Sequence, residues 1–165
     1  MPSAETLQQI KTRFPTVEIT EFRGQSRICA PCDTVHDVLR FLKEEHGYAL
    51  IIDITCVDYL YYPGAKDRFG VVYIVGQPES SDRLIVKTFV NDPEPKLPTV
   101  TDLWQGANWL EREVWDMFGI RFEGHPELRR ILLPEDFQDH PLRKDYPLQG
   151  RGERHNIPVV TRDLG

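Results

Sequence analysis

The chain has no stretch that could cross a bilayer. Its longest uncharged run, Phe69 to Pro78, falls far short of the roughly 18 apolar residues a spanning helix needs. The opening MPSAETLQQIKTRF lacks the basic start and apolar centre of a secretion signal. Cysteine is scarce, three in 165 residues and an odd number, so no disulfide framework is expected and a reducing compartment is. Positive charge is not in excess: 20 Lys and Arg face 26 Asp and Glu, and a net charge of −6 argues against nucleic acid or an anionic membrane as a general partner. Internal repeats and low-complexity tracts are missing. No glycine-rich phosphate loop follows a strand, because Gly150-Arg151-Gly152 is too short and sits in the tail; nucleotide binding by this chain is not expected.

What is present suits one soluble domain with a real core plus an extension. The hydrophobic share is 40% and the charged share 28%, both ordinary for a globular protein. Proline departs from the average: there are 13, and Pro98, Pro126, Pro134, Pro141, Pro147 and Pro158 crowd the last part of the chain. Residues 111–165 carry 11 acids and 9 bases, nearly balanced, which favours specific ion pairing over nonspecific attraction.

The first helix is predicted from Leu7, Ile10 and Phe14 on one stripe, with Ser3 as cap and Pro15 as stop. Val17, Ile19 and Phe22 then read as a strand that turns at Gly24-Gln25 and pairs back through Arg27–Ala30. Thr34 opens a second helix with Asp37 at its third position. Val35, Val38, Leu39 and Leu42 repeat at helical spacing, and Gly47 stands where a left-handed cap belongs. Tyr48–Val57 is the best strand, with Tyr48, Leu50, Ile52, Ile54 and Cys56 on one apolar face; Asp53 and Thr55 interrupt the other. Phe69–Val75 and Leu84–Val90 add two strands. The prediction is an α+β platform of four to five mostly antiparallel strands with helices on one face. Residues 91–98 form a linker. A third helix runs from Thr101-Asp102 to Phe118, capped by Gly119, with Leu103, Ala107, Leu110, Val114 and Met117 or Phe118 buried. Gly106 inside it costs about 1 kcal/mol against alanine and predicts a close contact. Beyond Gly119 regular signals stop, so the platform is set at 1–119 and an extended partner-binding tail at 120–165.

Several clusters invite a chemical reading. Cys29-Ala30-Pro31-Cys32 lies between a strand and a helix start, where a redox dithiol would sit. Its bland alternative is a turn that carries two thiols, and the strand-helix-strand order of a thioredoxin core does not follow. A zinc site would need four ligands, and only Cys56 remains, inside a strand. His125, His140 and His155 are evenly spaced, but spacing along an extended segment does not bring side chains together, and two of them precede proline. Asp53, Asp58, Tyr59, Tyr61 and Tyr62 could line a cleft or could be a strand end and its connector.

The more informative stretch is Leu110 to Leu148. Arg112 and Asp116 make an i,i+4 pair, and Glu113 lies one turn after Trp109; the plain alternative is a solvated helix face. Trp104, Trp109 and Trp115 cannot all enter one narrow stripe, so at least one is predicted on a second face, where aromatics with arginine make interface anchors. Leu128, Ile131, Leu132, Leu133, Phe137, Leu142 and Leu148 then offer apolar anchors between prolines that forbid helix and interior strand. Ordering such a strap costs on the order of 1–2 kcal/mol per residue, more than a small domain alone offsets. A larger partner is expected.

Glu111-Arg112-Glu113, Asp116–Gly119, His125-Pro126, Arg129–Leu132 and Pro141–Pro147 together resemble the signature of one family, the hydrophilic C subunit of the proton-pumping NADH–quinone oxidoreductase, respiratory complex I. The resemblance covers about residues 1–150. It implies a peripheral-arm subunit on the cytoplasmic side of the bacterial inner membrane, attached only through the complex. It also implies no redox centre in this chain; FMN, iron–sulfur clusters and quinone belong to other subunits, and no four-cysteine cluster pattern is present here. The implied partners resemble the D and B subunits, and the chain is expected to be the separate form, not the fusion with D. Glu111, Arg112, Glu113, Asp116, His125, Arg129, Arg130, Arg143, Lys144 and Asp145 become the candidate partner interface, with the basic groups reaching partner carboxylates. Homologous subunits of ferredoxin-dependent photosynthetic complexes and membrane-bound hydrogenases stay open as alternatives. From another class, so do a small thiol oxidoreductase working through Cys29 and Cys32 and a free-standing regulatory module.

Overall fold

The architecture is a computed structural model in which residues 4–80 and 82–153 are described. It starts with α1 (Ala4–Arg13), whose Ile10 is wholly buried while Leu7 and Phe14 pack at the margin of the core. The proposed cap Ser3 lies outside the described residues. Strands β1 (Glu18–Phe22) and β2 (Gln25–Cys29) form the expected hairpin. The turn is Arg23-Gly24, one residue earlier than predicted. Both have positive φ, 51° and 76°, the geometry that matches the twist of a two-residue hairpin.

Helix α2 (Val35–His46) buries Val35, Val38, Leu39 and Leu42 as its spacing predicts. Thr34 is at the cap position, but its hydroxyl donates to the Pro31 carbonyl and not to the helix. Strands β3 (Leu50–Asp58), β4 (Phe69–Gly76) and β5 (Arg83–Val90) make an antiparallel meander, and β5 returns to lie parallel to β2. The sheet order is β1-β2-β5-β4-β3, so the fold is α+β with one parallel pair. That pair exists because α2 and the β3–β4 hairpin carry the chain across and back. Val71, Tyr73 and Val75 of β4 and Leu84, Val86 and Thr88 of β5 line the wholly buried face, whereas Val72, Ile74, Ile85 and Phe89 are half-buried on the other.

Strand β3 departs from the expected apolar face. Leu50 and Ile52 are exposed while Ile54 and Cys56 are buried, and the register against β4 shifts between Ile51 and Asp53. One inserted residue reverses which side chains face inward. Alternation alone, which treats the strand as regular, therefore placed two residues wrongly.

Helix α3 (Ala107–Phe118) begins later than predicted. Residues 100–106 form tight turns, closed by Leu103 and Trp104 N–H groups on the Val100 carbonyl. Gly106 caps the start of α3, and a Cβ there would meet Ile51 at an ordinary 3.7 Å, so the close contact expected of it is absent. Trp104 is buried with its indole N–H on the Ala49 carbonyl (3.1 Å), Trp115 is half-buried, and Trp109 is 58% exposed. Both Met117 and Phe118 are buried.

The predicted linker and tail each hold a short strand. β6 (Lys96–Pro98) pairs in parallel with β7 (Arg121–Glu123), and Ile120 and Phe122 join the core. Three-residue strands carry too little alternation to be read in advance.

Gly47 and Gly119 close α2 and α3 in the left-handed region, at φ 70° and 78°. A Cβ on Gly47 meets nothing within 4 Å, but one on Gly119 would sit 2.7 Å from the His140 ring. Gly47→Ala should therefore cost about 1 kcal/mol, the backbone penalty alone. Gly119→Ala should cost clearly more, measured by urea denaturation. Equal losses would show that His140 does not pack on this cap.

Candidate partner interface

The strap after β7 has almost no ladder of its own, and a folded backbone must place its N–H and C=O groups somewhere. Asp116 supplies much of the answer. Its Oδ2 accepts the N–H groups of Ile131, Leu132 and Leu133 at 3.1, 2.8 and 2.9 Å, while Oδ1 accepts Arg130 at 2.6 Å. The Arg130 guanidinium continues to the Asp139 carbonyl (3.1 Å) and lies over the rings of Trp115 and Phe137. Burial disfavours the Asp116 carboxylate, but these N–H donors and the Arg130 charge outweigh it and hold its pKa below the usual range. One turn earlier on α3, Arg112 donates to the carbonyls of Arg129 (3.1 Å) and Arg130 (2.9 Å). The i,i+4 residues Arg112 and Asp116 thus hold one segment by its carbonyls and its amides.

Glu111 faces the other way. It is wholly buried and accepts the Val100 N–H (2.7 Å) and the Thr99 hydroxyl (2.6 Å), fixing the turn that follows β6. Burial pushes its pKa up to about 7, against the lowering effect of those two donors. His125 Nε2 stands 4.0 Å from Glu111, both side chains fully buried. Its Nδ1 accepts the Glu127 N–H (3.0 Å), which leaves Nε2 to donate to the Asn108 carbonyl (3.1 Å).

A second latch lies at the end of β3. The Asp58 side chain is fully buried and accepts Leu60 N–H (3.0 Å), Lys144 N–H (2.8 Å) and Arg68 (3.2 Å). Arg68 also pairs with Asp92 and with Asp145 (2.9 Å), and Arg143 bonds Asp92 (2.9 Å). The two guanidinium groups lie 4.7 and 5.0 Å from the ring of Phe69, itself fully buried. Burial raises the Asp58 pKa, but hydrogen bonds from Arg68, Lys144 N–H and Leu60 N–H hold it below the carboxylate norm. Residues 143–145 are thereby fastened to the platform.

The ten expected interface residues thus divide. Glu111, Arg112, Asp116, His125, Arg130 and Arg143 make their polar contacts within this chain. Glu113, Arg129, Lys144 and Asp145 are exposed, Asp145 while pairing with Arg68. Arg129 pairs with Glu127 at the surface (3.2 Å). The basic groups expected to meet partner carboxylates are, for Arg112, Arg130 and Arg143, bonded to this chain's own carbonyls and carboxylates. Asp58 figured in the sequence only as a possible cleft residue, and Arg68, Asp92 and Thr99 carried no signal, because each is paired by topology and not by spacing.

The remaining candidates do not converge. His125 serves the loop after β7, His140 donates to the Asp116 carbonyl (3.0 Å) beside Trp115, and His155 lies outside the described residues. Among the described residues no three His, Cys, Asp or Glu stand where they could hold a metal ion. Burial, and then Glu18, raises the pKa of Cys29, the reverse of an activated thiol; burial pushes Cys56 up to about 12. Tyr61 and Tyr62 are exposed on the β3–β4 connector, while Tyr59 receives Lys87 (2.7 Å). No helix among the described residues is long and apolar enough to cross a membrane.

A helix face that folds an irregular strap onto a small α+β platform defines a structural module. Comparison with known proteins makes this specific. Residues 28–152 match the family model described as respiratory-chain NADH dehydrogenase, 30 Kd subunit. The chain is 46% identical over 145 residues to the C subunit of NADH-quinone oxidoreductase from Geobacter sulfurreducens, covering 86% of this chain and 88% of that one. It is 56% identical over 127 residues to the C subunit from Thermus thermophilus, covering 70% and 61%. A C/D subunit of NADH-quinone oxidoreductase from Aquifex aeolicus matches 96% of this chain at 43% identity, yet the match spans only 26% of that longer protein. Among solved structures, a trypsin-resistant fragment of Nqo5 superposes with a TM-score of 0.66 at 38% identity, over 74% of this chain and 99% of the fragment. A chain of an archaeal membrane-bound sulfane sulfur reductase superposes at 0.78 and 27% identity, over 96% and 92%. The chain belongs to the 30 Kd subunit family of respiratory NADH dehydrogenase, whose members include these C subunits.

Two outcomes follow for stability. Asp116→Ala strands a buried Arg130 and three backbone N–H groups and should cost about 3–5 kcal/mol in denaturant unfolding. Glu111 sets an opposite pH dependence to Asp116 and Asp58. Its folded pKa lies above the unfolded one, so the folded state binds the extra proton, and stability falls as pH rises from about 4.5 to about 7. The loss is up to roughly 3 kcal/mol. The depressed Asp116 and Asp58 contribute stability above the ordinary carboxylate pKa, lost as pH falls through their folded values. Glu111→Gln, measured by urea unfolding across pH 5–8, should flatten the decline. An unchanged slope would show that Glu111 is not the titrating group.

Proposed function

We propose that this chain is a non-catalytic peripheral-arm subunit of an NADH–quinone oxidoreductase, supporting electron transfer to quinone and the coupled proton translocation by docking on the quinone-site subunit. The observation that carries the reading is the state of the strap. Arg130 and Arg143 and the carboxylates that receive them are occupied within the chain, while Leu132, Leu142 and Leu148 point outward, 59%, 51% and 108% exposed. Apolar side chains on a backbone already held in place make a surface for another protein and give no site for chemistry. FMN, iron–sulfur clusters and quinone belong, in this reading, to other subunits. The subunit sits on the cytoplasmic side of the bacterial inner membrane and reaches it only through the complex.

The C/D name of the Aquifex aeolicus relative supports a D-type chain as the principal partner; in this reading a B-type chain completes the quinone site. Relatives named NADH-quinone oxidoreductase stand at 43–56% identity, and the sulfane sulfur reductase chain at 27%. That difference favours the NADH-linked complex as host over one like the sulfane sulfur reductase. The thiol oxidoreductase reading loses support from the raised Cys29 pKa. Turnover of a disulfide substrate by the purified chain, abolished by Cys32→Ser, would restore it.

Exposed Lys144, and Arg129 by exchanging its surface pair with Glu127, are the charges placed to meet partner carboxylates. Arg129→Glu with Lys144→Glu should leave the far-UV spectrum and unfolding midpoint of the chain near wild type, yet lower recovery of the assembled complex from cells several-fold. Arg130→Glu should act differently, because it faces Asp116 from within and unfolds the strap. Normal assembly of the Arg129/Lys144 variant removes those two residues from the interface.

A further inference from the structure

Arg112 is 8% exposed and makes no ion pair among the described residues. Arg130, whose side chain is equally enclosed, is neutralised by Asp116 at 2.6 Å. Arg112 has only neutral partners: its Nε donates to the Arg129 carbonyl (3.1 Å) and its Nη2 to the Arg130 carbonyl (2.9 Å). These bonds use one edge of the guanidinium. The other edge, formed by Nη1 and the second hydrogen of Nη2, carries no bond among the described residues. Carbonyl dipoles leave the charge itself uncompensated, and an enclosed charge without a counter-charge is costly. Two parallel N–H groups on a planar edge are the match for a carboxylate.

That side chain lines a groove of about 700 Å³ between the start of α3 and the loop after β7. Small-molecule sites span roughly 300–1,000 Å³. The other charges of the groove have partners: Asp102 bonds His36 (3.0 Å), and Arg129 pairs with Glu127 (3.2 Å). Beside Arg112, the side-chain amides of Gln105 and Asn108 make no hydrogen bond among the described residues, and the Trp109 ring is 58% exposed. Asp102 and Glu127 repel an anion of higher charge, such as phosphate. One uncompensated cation, two amides with N–H groups to donate and an open indole face suit a single carboxylate on a flat apolar body.

We infer that this groove is a binding site for a small organic monocarboxylate. Its acid group lies on the unused edge of Arg112, its body lies against the Trp109 ring, and the Gln105 and Asn108 amides bond the flanks of the acid. The ligand supplies the counter-charge that the fold withholds from Arg112. Such a site is separate from the outward leucines of the strap and does not depend on docking to another subunit.

The test uses the isotope-labelled full chain, with benzoate titrated at constant ionic strength and followed by two-dimensional NMR. The expected result is a saturable shift of the Trp109 indole and the Gln105 and Asn108 side-chain amide resonances. Benzamide, the same shape without the charge, should bind at least about 10-fold more weakly, as should benzoate to Arg112→Gln. Trp109→Ala, an exposed position, should lower benzoate affinity roughly 5-fold with the unfolding midpoint unchanged. Should Arg112→Gln lose the strap, the benzamide comparison and Trp109→Ala still decide. Shifts that do not saturate or that fall elsewhere overturn the inference, as does equal binding of benzamide or unchanged affinity in Trp109→Ala. N-acetyl-glutamate methylamide stands for an acidic side chain of another protein. Binding of that compound more tightly than benzoate overturns the free-acid assignment. Inorganic phosphate binding as well as benzoate overturns the choice of a single carboxylate.

Discussion

The structure depends on one carboxylate group placed where a backbone would otherwise go unpaired. Asp116 gathers three successive N–H groups and the Arg130 guanidinium on its two oxygens. Proline breaks up the segment it holds, so neither helix nor sheet can satisfy those donors. A side chain fixed on a helix replaces the missing ladder. The cost of burying a carboxylate is offset because four donors, one of them charged, converge on its two oxygens.

The same logic repeats on either side. Arg112 takes the carbonyls that precede those amides, Glu111 closes the turn after β6, and Asp58 anchors Lys144 and Arg68 at the end of the sheet. Charges that resemble a recognition code are used to fold the chain. In the proposed function, recognition passes to what remains outside: leucines on the strap and a few exposed charges. The strap is bonded to its own helix.

Much of the architecture was legible in advance. Helical spacing located α2, the strand runs located β4 and β5, and glycines marked both left-handed caps. The α+β class followed from their order. The misses have separate physical causes. A bulge turned Leu50 and Ile52 outward, tight turns replaced the first part of the expected α3, and β6 and β7 are too short to show alternation. The prediction that three tryptophans could not share one stripe holds, since Trp109 stands outside the core. For the candidate site, the residue types were read correctly but their partners were not. Arg112 and Asp116 were seen as a mutual i,i+4 pair, while each in fact holds backbone from residues 129–133.

Composition and periodicity by themselves determined the class of fold and the proline-rich strap; the family was indicated separately, by the resemblance of the motifs between Glu111 and Pro147. These are properties of residue type and short-range spacing, which a linear chain displays directly. Only the tertiary structure decided what the charges of that strap do. Asp58 and Lys144 are 86 residues apart, Arg143 and Asp92 are 51 apart, and no local pattern records such pairings. Whether an arginine faces a partner or its own chain is a matter of burial, and burial is set by the packing of α3 against the sheet and the strap against α3.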